Sequence, residues 1–187
     1  ENVGTALNKA LEAIEDANPD ALQDVLKSIN FNRKIGQRTL DDDTLADFVQ
    51  NFEKIPLKDE DFEFPDLLGA AYEWLIKYFA DSAGKKAGEF YTPSPVRRLV
   101  AKLAKPEPGN LICDPTCGSG SLALDTGREV AGGACRLFGQ EKNGGTLALA
   151  KMNMFLHGVD DAVLEWGDTI NDPKLLDEGR LMRFDRV

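Results

Sequence analysis

Apolar residues in the first eighty positions recur at the spacing of amphipathic helices. The first set consists of Val3, Leu7, Leu11 and Ile14. Asn18-Pro19 ends this helix, because proline cannot continue the hydrogen-bond ladder of a preceding helix. Three further helices are predicted to begin at Asp20, Asp43 and Pro65. We therefore expect a helical bundle in this part of the chain.

The fourth predicted helix carries the widest apolar stripe in the chain. Its members are Leu67, Leu68, Ala71, Trp74, Leu75, Tyr78 and Phe79. Their spacing and size are typical of core residues, so we interpret the aromatic members as core rather than as a ligand site. The small, basic, glycine-flanked segment that follows indicates a linker, and we place a domain boundary in residues 81–88. The predicted domains are residues 1–82 and 83–187.

The second half of the chain alternates predicted strands with predicted helices. The strands are expected at residues 111–113, 135–140, 162–166 and 183–187, and the helices at residues 94–103, 121–130 and 143–156. Ser94 is the predicted N-cap of the first of these helices, with Pro95 in its first turn. This alternation predicts an α/β fold with a parallel, doubly wound sheet.

A glycine-containing turn follows the first predicted strand. The segment LICDPTCGSG, residues 111–120, combines that strand with Gly118 and Gly120, which permit positive φ and close approach of backbone to a ligand. A helix follows, and its first amide groups favour anionic groups. Because ligands of parallel sheets bind beyond the carboxyl ends of the strands, this turn predicts a nucleotide site.

The identity of the nucleotide is open on the glycine pattern alone. Gly118, Gly120 and Ala123 fit G-x-G-x-x-A, and Glu141 lies 21 positions after Gly120, where a ribose-binding acid of a dinucleotide fold belongs. This pattern favours NAD as much as any other nucleotide. The same glycines can also form a turn that binds nothing.

Acidic residues follow three successive predicted strands, namely Asp114, Glu141 and Asp168. The charge of Asp114 would repel a pyrophosphate and attract a cationic or zwitterionic ligand such as S-adenosylmethionine, although Asp114 can instead cap its own turn. Glu141 can accept hydrogen bonds from two ribose hydroxyls, and Asp168 can accept one from the N6 amine of adenine. Together the three acids favour an adenosine pocket without phosphates.

Charge and cysteine content limit the classes of function. Residues 1–87 contain 18 acidic and 10 basic side chains, so this half is strongly acidic, and a chain of net charge −10 is a poor DNA binder by itself. We expect other chains to supply any cationic DNA-binding surface. Three cysteines without a CxxC pair favour a reducing cytoplasm, and a single histidine, His157, argues against a zinc site. No apolar run approaches the ~18 residues of a membrane-spanning helix.

Five ordered motifs resemble the modification subunit of type I restriction-modification systems. They are GEFYTP at 88–93, DPTCGSGSL at 114–122, GQEKN at 139–143, KMNMFLHG at 151–158 and GDT at 167–169. The resemblance covers essentially the whole chain. It implies an adenine-N6 DNA methyltransferase with a helical amino-terminal domain, a Rossmann-like domain that uses S-adenosylmethionine, and double-stranded DNA, specificity and restriction subunits as partners.

The resemblance also implies the residues that hold the cofactor. The methionine end would be lined by Gly88, Glu89, Phe90, Tyr91, Thr92, Pro93, Asp114, Gly118, Ser119 and Gly120. Glu141 would hold the ribose and Asp168 the adenine. We interpret Met154 and His157 as helix-end packing residues rather than ligands.

In that family the catalytic motif is Asn-Pro-Pro followed by an aromatic residue, at the tip of the fourth strand. The present 187 residues contain one Asn-Pro pair, Asn18-Pro19, in a predicted helix linker. We therefore expect a fragment of a methyltransferase subunit that cannot methylate DNA by itself. Two other hypotheses remain open at this point, namely a non-catalytic module that docks on a specificity subunit and an NAD-linked oxidoreductase.

Overall fold

The structure is a computed structural model that describes residues 2–34, 39–56, 58, 61, 67–82 and 91–187. The chain divides into two compact units, Glu1–Leu67 and Leu68–Val187. This division places the fourth helix with the second unit. The linker composition of residues 81–88 predicted a boundary between two domains, and that boundary stays a prediction.

The described part of the first unit contains three helices. Their bounds are Val3–Ala17 (α1), Pro19–Leu22 (α2) and Asp42–Glu53 (α3). Asn2 caps α1 by accepting a hydrogen bond from the Thr5 amide at 2.8 Å, and Asp41 caps α3 by accepting one from the Thr44 amide at 2.7 Å. These caps satisfy amide groups that the first turn of a helix leaves without an intrahelical partner.

The predicted second helix is much shorter than its apolar pattern suggested. It begins at Pro19 after Asn18 as N-cap, not after Asp20, and it ends at Leu22. The buried carboxylate of Glu15 explains this difference, because it accepts hydrogen bonds from the amides of Asp24, Leu26 and Lys27 at 2.7–3.0 Å. These amides are bound to a side chain instead of to helical carbonyl groups, although the apolar side chains of the segment are still buried.

The second unit is built on a parallel sheet of three strands in the order β1-β2-β3. The strands are Leu111–Asp114 (β1), Arg136–Glu141 (β2) and Val163–Trp166 (β3), in a register that pairs Ile112 with Leu137 and Phe138 with Val163. This confirms the α/β parallel sheet. At the other edge of β1, Arg186 forms a parallel bridge with Ile112, where the fourth strand was predicted. The order of strands in the sheet therefore reverses at β1, because β2 and β3 lie on one side of β1 and Arg186 lies on the other.

Four helices and a short hairpin accompany this sheet. Their bounds are Leu67–Ser82 (α4), Ser94–Ala104 (α5), Ser121–Arg128 (α6), Gly144–Leu156 (α7), Leu176–Asp177 (β4) and Arg180–Leu181 (β5). The β4-β5 hairpin was not predicted. None of the helices in the described ranges is long and apolar enough to cross a lipid bilayer.

The core lies on both faces of the sheet. One face is covered by α6 and α7, through a cluster of Ile112, Ala123, Leu124, Val130, Leu137 and Met154. The other face carries Cys113, Phe138 and Leu175, with Met182 and Phe184 packed against them. Burial on both faces explains why the strands are short apolar runs without alternation.

Two helices bury a different face from the one their apolar pattern indicated. In α4 the buried residues are Gly69, Ile76 and Ala80, whereas Trp74, Tyr78 and Phe79 are 60%, 55% and 59% exposed. The prediction that these aromatic residues form core was therefore wrong for the chain as it stands. In α5 the residues Arg97 and Ala101 are buried, whereas the apolar residues Val96, Leu99, Val100 and Leu103 are exposed. The N-cap of α5 is Pro93 rather than Ser94, so Ser94 provides no side-chain cap.

Candidate functional site

The glycine turn lies at the point where the sheet order changes. After β1 the chain passes through Gly118 and Gly120, whose φ values of +54° and +76° are in the left-handed region, and then enters α6. Glycine adopts such values without the steric cost that a Cβ atom imposes. The turn is tied to the next strand by a hydrogen bond from the Cys117 amide to the carbonyl of Gln140, at 3.1 Å.

Gly139 on β2 makes room for this turn. A Cβ atom at Gly139 would lie 2.9 Å from the Cβ atom of Cys117 and 2.8 Å from Cδ2 of Leu164, both of which are too close. The glycine of the GQEKN motif is thus required for the close approach of turn and strand. Burial raises the pKa of the Cys117 thiol to about 12, so Cys117 is a packing residue rather than a reactive thiol.

Glu141 connects the ends of β1 and β2. Its Oε2 atom accepts a hydrogen bond from the Gly118 amide at 3.0 Å, and its Oε1 atom accepts one from the Asn143 amide at 2.7 Å. A carboxylate has about four lone-pair positions, so two backbone bonds orient the group and leave acceptor capacity for a ligand. This geometry suits an acceptor for neighbouring hydroxyl groups.

Asp114 places a second carboxylate beside the turn. Its Oδ1 atom accepts a hydrogen bond from the Thr116 amide at 3.1 Å, so Asp114 does cap its own turn. Burial, together with the charge of Glu141, raises the pKa of Asp114 above its ordinary value. A cationic ligand group would relieve this unfavourable burial of negative charge, whereas an anionic group would increase it.

Asp168, in the turn after β3, has more local partners than the other two acids. Its carboxylate accepts hydrogen bonds from Lys142 Nζ at 2.8 Å, from the Ile170 and Asn171 amides at 3.0 and 3.2 Å, and from the Asn171 side chain at 3.1 Å. The Lys142 ammonium is the main cause that holds the pKa of Asp168 well below its usual range. The next residue, Thr169, donates a hydrogen bond to the carbonyl of Pro115, which joins the tips of β3 and β1.

A cavity of about 150 Å³ opens between the glycine turn and the start of α5. The described residues that line it are Tyr91, Thr92, Arg97, Asp114, Thr116, Cys117, Gly118, Ser119, Ser121 and Leu122. It therefore brings Tyr91 and Thr92 of the GEFYTP segment next to residues of the DPTCGSGSL segment. The predicted site residues Pro93, Gly120, Glu141 and Asp168 do not line it. Of the predicted site residues in GEFYTP, Gly88, Glu89 and Phe90 lie outside the described residues. Within the described part, no group of three or more His, Cys, Asp or Glu side chains is arranged to hold a metal ion.

A model of the N-6 DNA methylase family matches residues 63–187, which contain the sheet, the glycine turn and this cavity. The chain belongs to the N-6 DNA methylase family.

Curated relatives of this chain are methylase subunits of type I restriction enzymes. The MjaVII methylase subunit of Methanocaldococcus jannaschii is 36% identical over 175 residues, which cover 90% of this chain and 30% of the relative. The MpnII methylase subunit of Mycoplasma pneumoniae is 32% identical over 164 residues, which cover 83% of this chain and 30% of the relative. The chain thus spans about 30% of the length of these relatives.

Solved structures show the same architecture. The type I restriction-modification system methyltransferase subunit from Streptococcus thermophilus is 33% identical, with a TM-score of 0.69 over 93% of this chain and 41% of that chain. A second solved structure concerns complex assembly and conformational transition of the type I R-M system, and one of its chains is 25% identical to this chain. The TM-score is 0.61 over 87% of this chain and 35% of that chain.

Two polar residues that were not among the predicted site residues support the site. Asn153 on α7 is fully buried, and its amide nitrogen donates to the Ser119 carbonyl at 3.0 Å and to the Ser121 hydroxyl at 3.2 Å. It thereby holds the glycine turn against α7. The sequence signal for Asn153 was its position as a polar residue on the same helical face as Ala150 and Met154. The second polar residue that supports the site is Arg97.

Met154 and His157 lie on or next to the last turn of α7. Met154 belongs to the core, and its Cε atom would lie 3.0 Å from a Cβ atom at Gly120. His157 Nδ1 is 2.9 Å from Arg128 Nη2, which can only donate, so the ring proton belongs on Nε2, 3.2 Å from Glu73 Oε1. Donation from His157 is the main cause that lowers the pKa of Glu73 to about 2, with Arg97 and Arg128 contributing.

Proposed function

We propose that the chain forms the S-adenosylmethionine-binding part of an adenine-N6 DNA methyltransferase subunit of a type I restriction-modification system. The observation that carries this proposal is that the glycine turn and Asp114 line one cavity, while Glu141 accepts a hydrogen bond from the Gly118 amide of the same turn. S-adenosylmethionine supplies an electrophilic methyl group on a sulfonium centre. The residues of this chain bind and orient that molecule.

The polar groups of the site divide between the two ends of the cofactor. Asp114 binds the ammonium of the methionine end, which lies against Tyr91, Thr92, Pro93 and the turn residues Gly118, Ser119 and Gly120. The motif resemblance also assigns Gly88, Glu89 and Phe90 to this end of the cofactor. Glu141 accepts hydrogen bonds from the ribose hydroxyls through the lone pairs that are not used in its two hydrogen bonds to backbone amides. Asp168 accepts from the adenine amine and shares its carboxylate with Lys142.

The same contacts argue against a dinucleotide. A pyrophosphate at a glycine turn is bound by backbone N–H groups, but the Gly118 N–H already donates to Glu141. The carboxylate of Glu141 binds that amide and Asp114 lines the same cavity as Gly118, so both carboxylates would repel the phosphate charges. A ligand with a positive sulfonium and an ammonium fits this electrostatic environment.

In the whole protein, the acceptor of the methyl group is the N6 amine of adenine in double-stranded DNA. The specificity and restriction subunits of the same system are the partners, in agreement with the type I methylase subunits to which the chain is similar. Because the chain carries a net charge of −10, these partners supply the cationic surface that binds the phosphate backbone. The three free cysteines fit a reducing cytoplasm.

Calorimetric titration of the chain with S-adenosylmethionine, S-adenosylhomocysteine and NAD tests the cofactor assignment. We expect the first two ligands to bind and NAD to give no heat of binding. The S-adenosylhomocysteine arm separates binding from methyl transfer, because this product lacks the transferable methyl group. Binding of NAD without binding of either S-adenosyl compound would overturn the proposal.

A further inference from the structure

Arg97 is a buried cation in the wall of the candidate site. It lies in the first turns of α5 and is 4% exposed. Its Nη2 atom is 3.0 Å from Glu73 Oε2, and its Nε atom is 2.9 Å from Asp125 Oδ2. Its third nitrogen, Nη1, is buried and has no hydrogen-bond partner in the part of the chain that the structure describes.

An unpartnered donor of this kind is unusual in a folded protein. A buried polar group without a hydrogen bond costs about 1–3 kcal/mol, and more when the group is charged. Most buried polar side-chain atoms therefore have a partner, and an exception is a candidate for binding a group from outside the chain. Of the three guanidinium nitrogens, Nη2 donates a hydrogen bond to Glu73, and Nε is in ionic contact with Asp125 Oδ2 but makes no hydrogen bond. Nη1 is therefore the nitrogen left for such a group.

The carboxylates beside Arg97 are also shared with a second cation. Arg128 Nη1 lies 3.3 Å from Glu73 Oε1 and 3.4 Å from Asp125 Oδ1. Two carboxylates thus face two guanidinium groups, so the cluster fixes Arg97 in place without surrounding it with excess negative charge. A further anionic group can then approach Arg97 without strong repulsion.

Arg97 and Asp114 line the same cavity with opposite charges. The cavity volume of about 150 Å³ corresponds to roughly five waters at ~30 Å³ each, which is close to the size of the α-amino-acid group of a ligand. Such a group carries one ammonium and one carboxylate. A planar guanidinium is the side chain best suited to bind a carboxylate.

We infer that Arg97 binds the carboxylate of an α-amino-acid group whose ammonium is bound by Asp114. The inference rests on the proposed cofactor, since S-adenosylmethionine carries this group. It makes Arg97 a specificity residue that distinguishes ligands with the complete amino-acid group from ligands that lack the carboxylate.

Three ligands and two matched variants test this role. S-adenosylhomocysteine has the complete amino-acid group, its decarboxylated analogue lacks only the carboxylate, and 5′-methylthioadenosine lacks the whole group. Arg97→Gln removes the guanidinium, and Arg98→Gln is the control, because Arg98 is the adjacent residue on α5 and is exposed. We expect Arg97→Gln to weaken binding of S-adenosylhomocysteine about 10- to 100-fold. The other two ligands should bind this variant as they bind the unchanged chain, and Arg98→Gln should change none of the three affinities.

The ratio of affinities separates a binding role from a structural one. Equal weakening for all three ligands, or for none, would show that Arg97 does not bind the carboxylate. Arg97→Gln could fail to fold because Glu73 and Asp125 lose their partner. In that case, the affinities of the unchanged chain for the three ligands still test the inference. In that chain, equal affinity for S-adenosylhomocysteine and its decarboxylated analogue would contradict the inference. Failure of the unchanged chain to bind any of the three would instead contradict the proposed cofactor.

Discussion

The carboxylate of Glu141 holds the amide of Gly118 at 3.0 Å, which joins the end of β2 to the glycine turn after β1. The contact spans 23 residues of sequence, and a second bond to the Asn143 amide fixes the other carboxylate oxygen. One side chain therefore orients the turn and keeps acceptor capacity at the end of β2. Its removal should affect binding of the nucleoside more than the overall fold.

Glu141→Gln is expected to weaken binding of 5′-methylthioadenosine about 10-fold or more. The substitution keeps the shape of the side chain but replaces one acceptor oxygen by a donor, which cannot accept from both backbone amides or from two ribose hydroxyls. Calorimetry with this ligand, which has no amino-acid group, isolates the ribose contact. Glu129→Gln, an exposed position on the same unit, is the control and should bind normally. Unchanged affinity of Glu141→Gln would exclude the ribose contact.

Asp114→Asn should lower the affinity for S-adenosylmethionine while it raises the free energy of unfolding at neutral pH. The pKa of Asp114 is raised in the folded state, so the ionised carboxylate destabilises the fold at pH values above that pKa. Asparagine keeps an acceptor for the Thr116 amide but carries no charge for a ligand cation. Urea unfolding and calorimetry measure the two effects on one sample. A less stable variant with unchanged affinity would contradict the assigned role.

Gly139→Ala should destabilise the second unit by about 1–3 kcal/mol, because the added Cβ atom would overlap the Cys117 turn and Leu164. Gly145→Ala is the matched control. A Cβ atom there meets nothing closer than 3.4 Å, and alanine favours a helix by up to about 1 kcal/mol over glycine. Thermal unfolding should therefore give opposite shifts for the two variants. Equal shifts would indicate that the close approach at Gly139 does not constrain the fold.

The ion cluster around Glu73 predicts a loss of stability in acid. The pKa of Glu73 falls from an ordinary 4.5 to about 2, mainly through its hydrogen bond from His157. A lowered carboxyl pKa contributes stability that is complete above the unfolded value and is lost as the pH falls through the folded value, so the window lies between about 4.5 and about 2. The shift corresponds to about 3 kcal/mol.

Urea unfolding at several pH values measures this contribution. Glu73→Gln should flatten the dependence within the window, since glutamine does not titrate. Glu129→Gln should leave the slope unchanged, because Glu129 is exposed. A Glu73→Gln variant with the slope of the unchanged chain would show that Glu73 is not the group that titrates there.

The amino-acid sequence by itself determined the local elements of the site. The apolar run before Asp114, the two glycines and the helix after them predicted β1, the turn and α6. The apolar spacing within residues 143–156 predicted α7. The structure adds that Asn143 is its N-cap, which accepts hydrogen bonds from the Gly145 and Thr146 amides. These features depend on backbone preferences and on neighbours within a few residues, which a single segment of sequence contains.

Only the tertiary structure decided which helical faces are buried and which polar residues support the turn. Arg97 and Asn153 are buried because partners from other elements, Asp125 and Ser119, satisfy part of their polar groups. The exposed aromatic residues of α4 follow from the same cause, since Glu73 is directed inward by Arg97 and His157. Such contacts join residues that are 24 to 84 positions apart, and their energy depends on three-dimensional proximity that periodicity along one helix cannot specify.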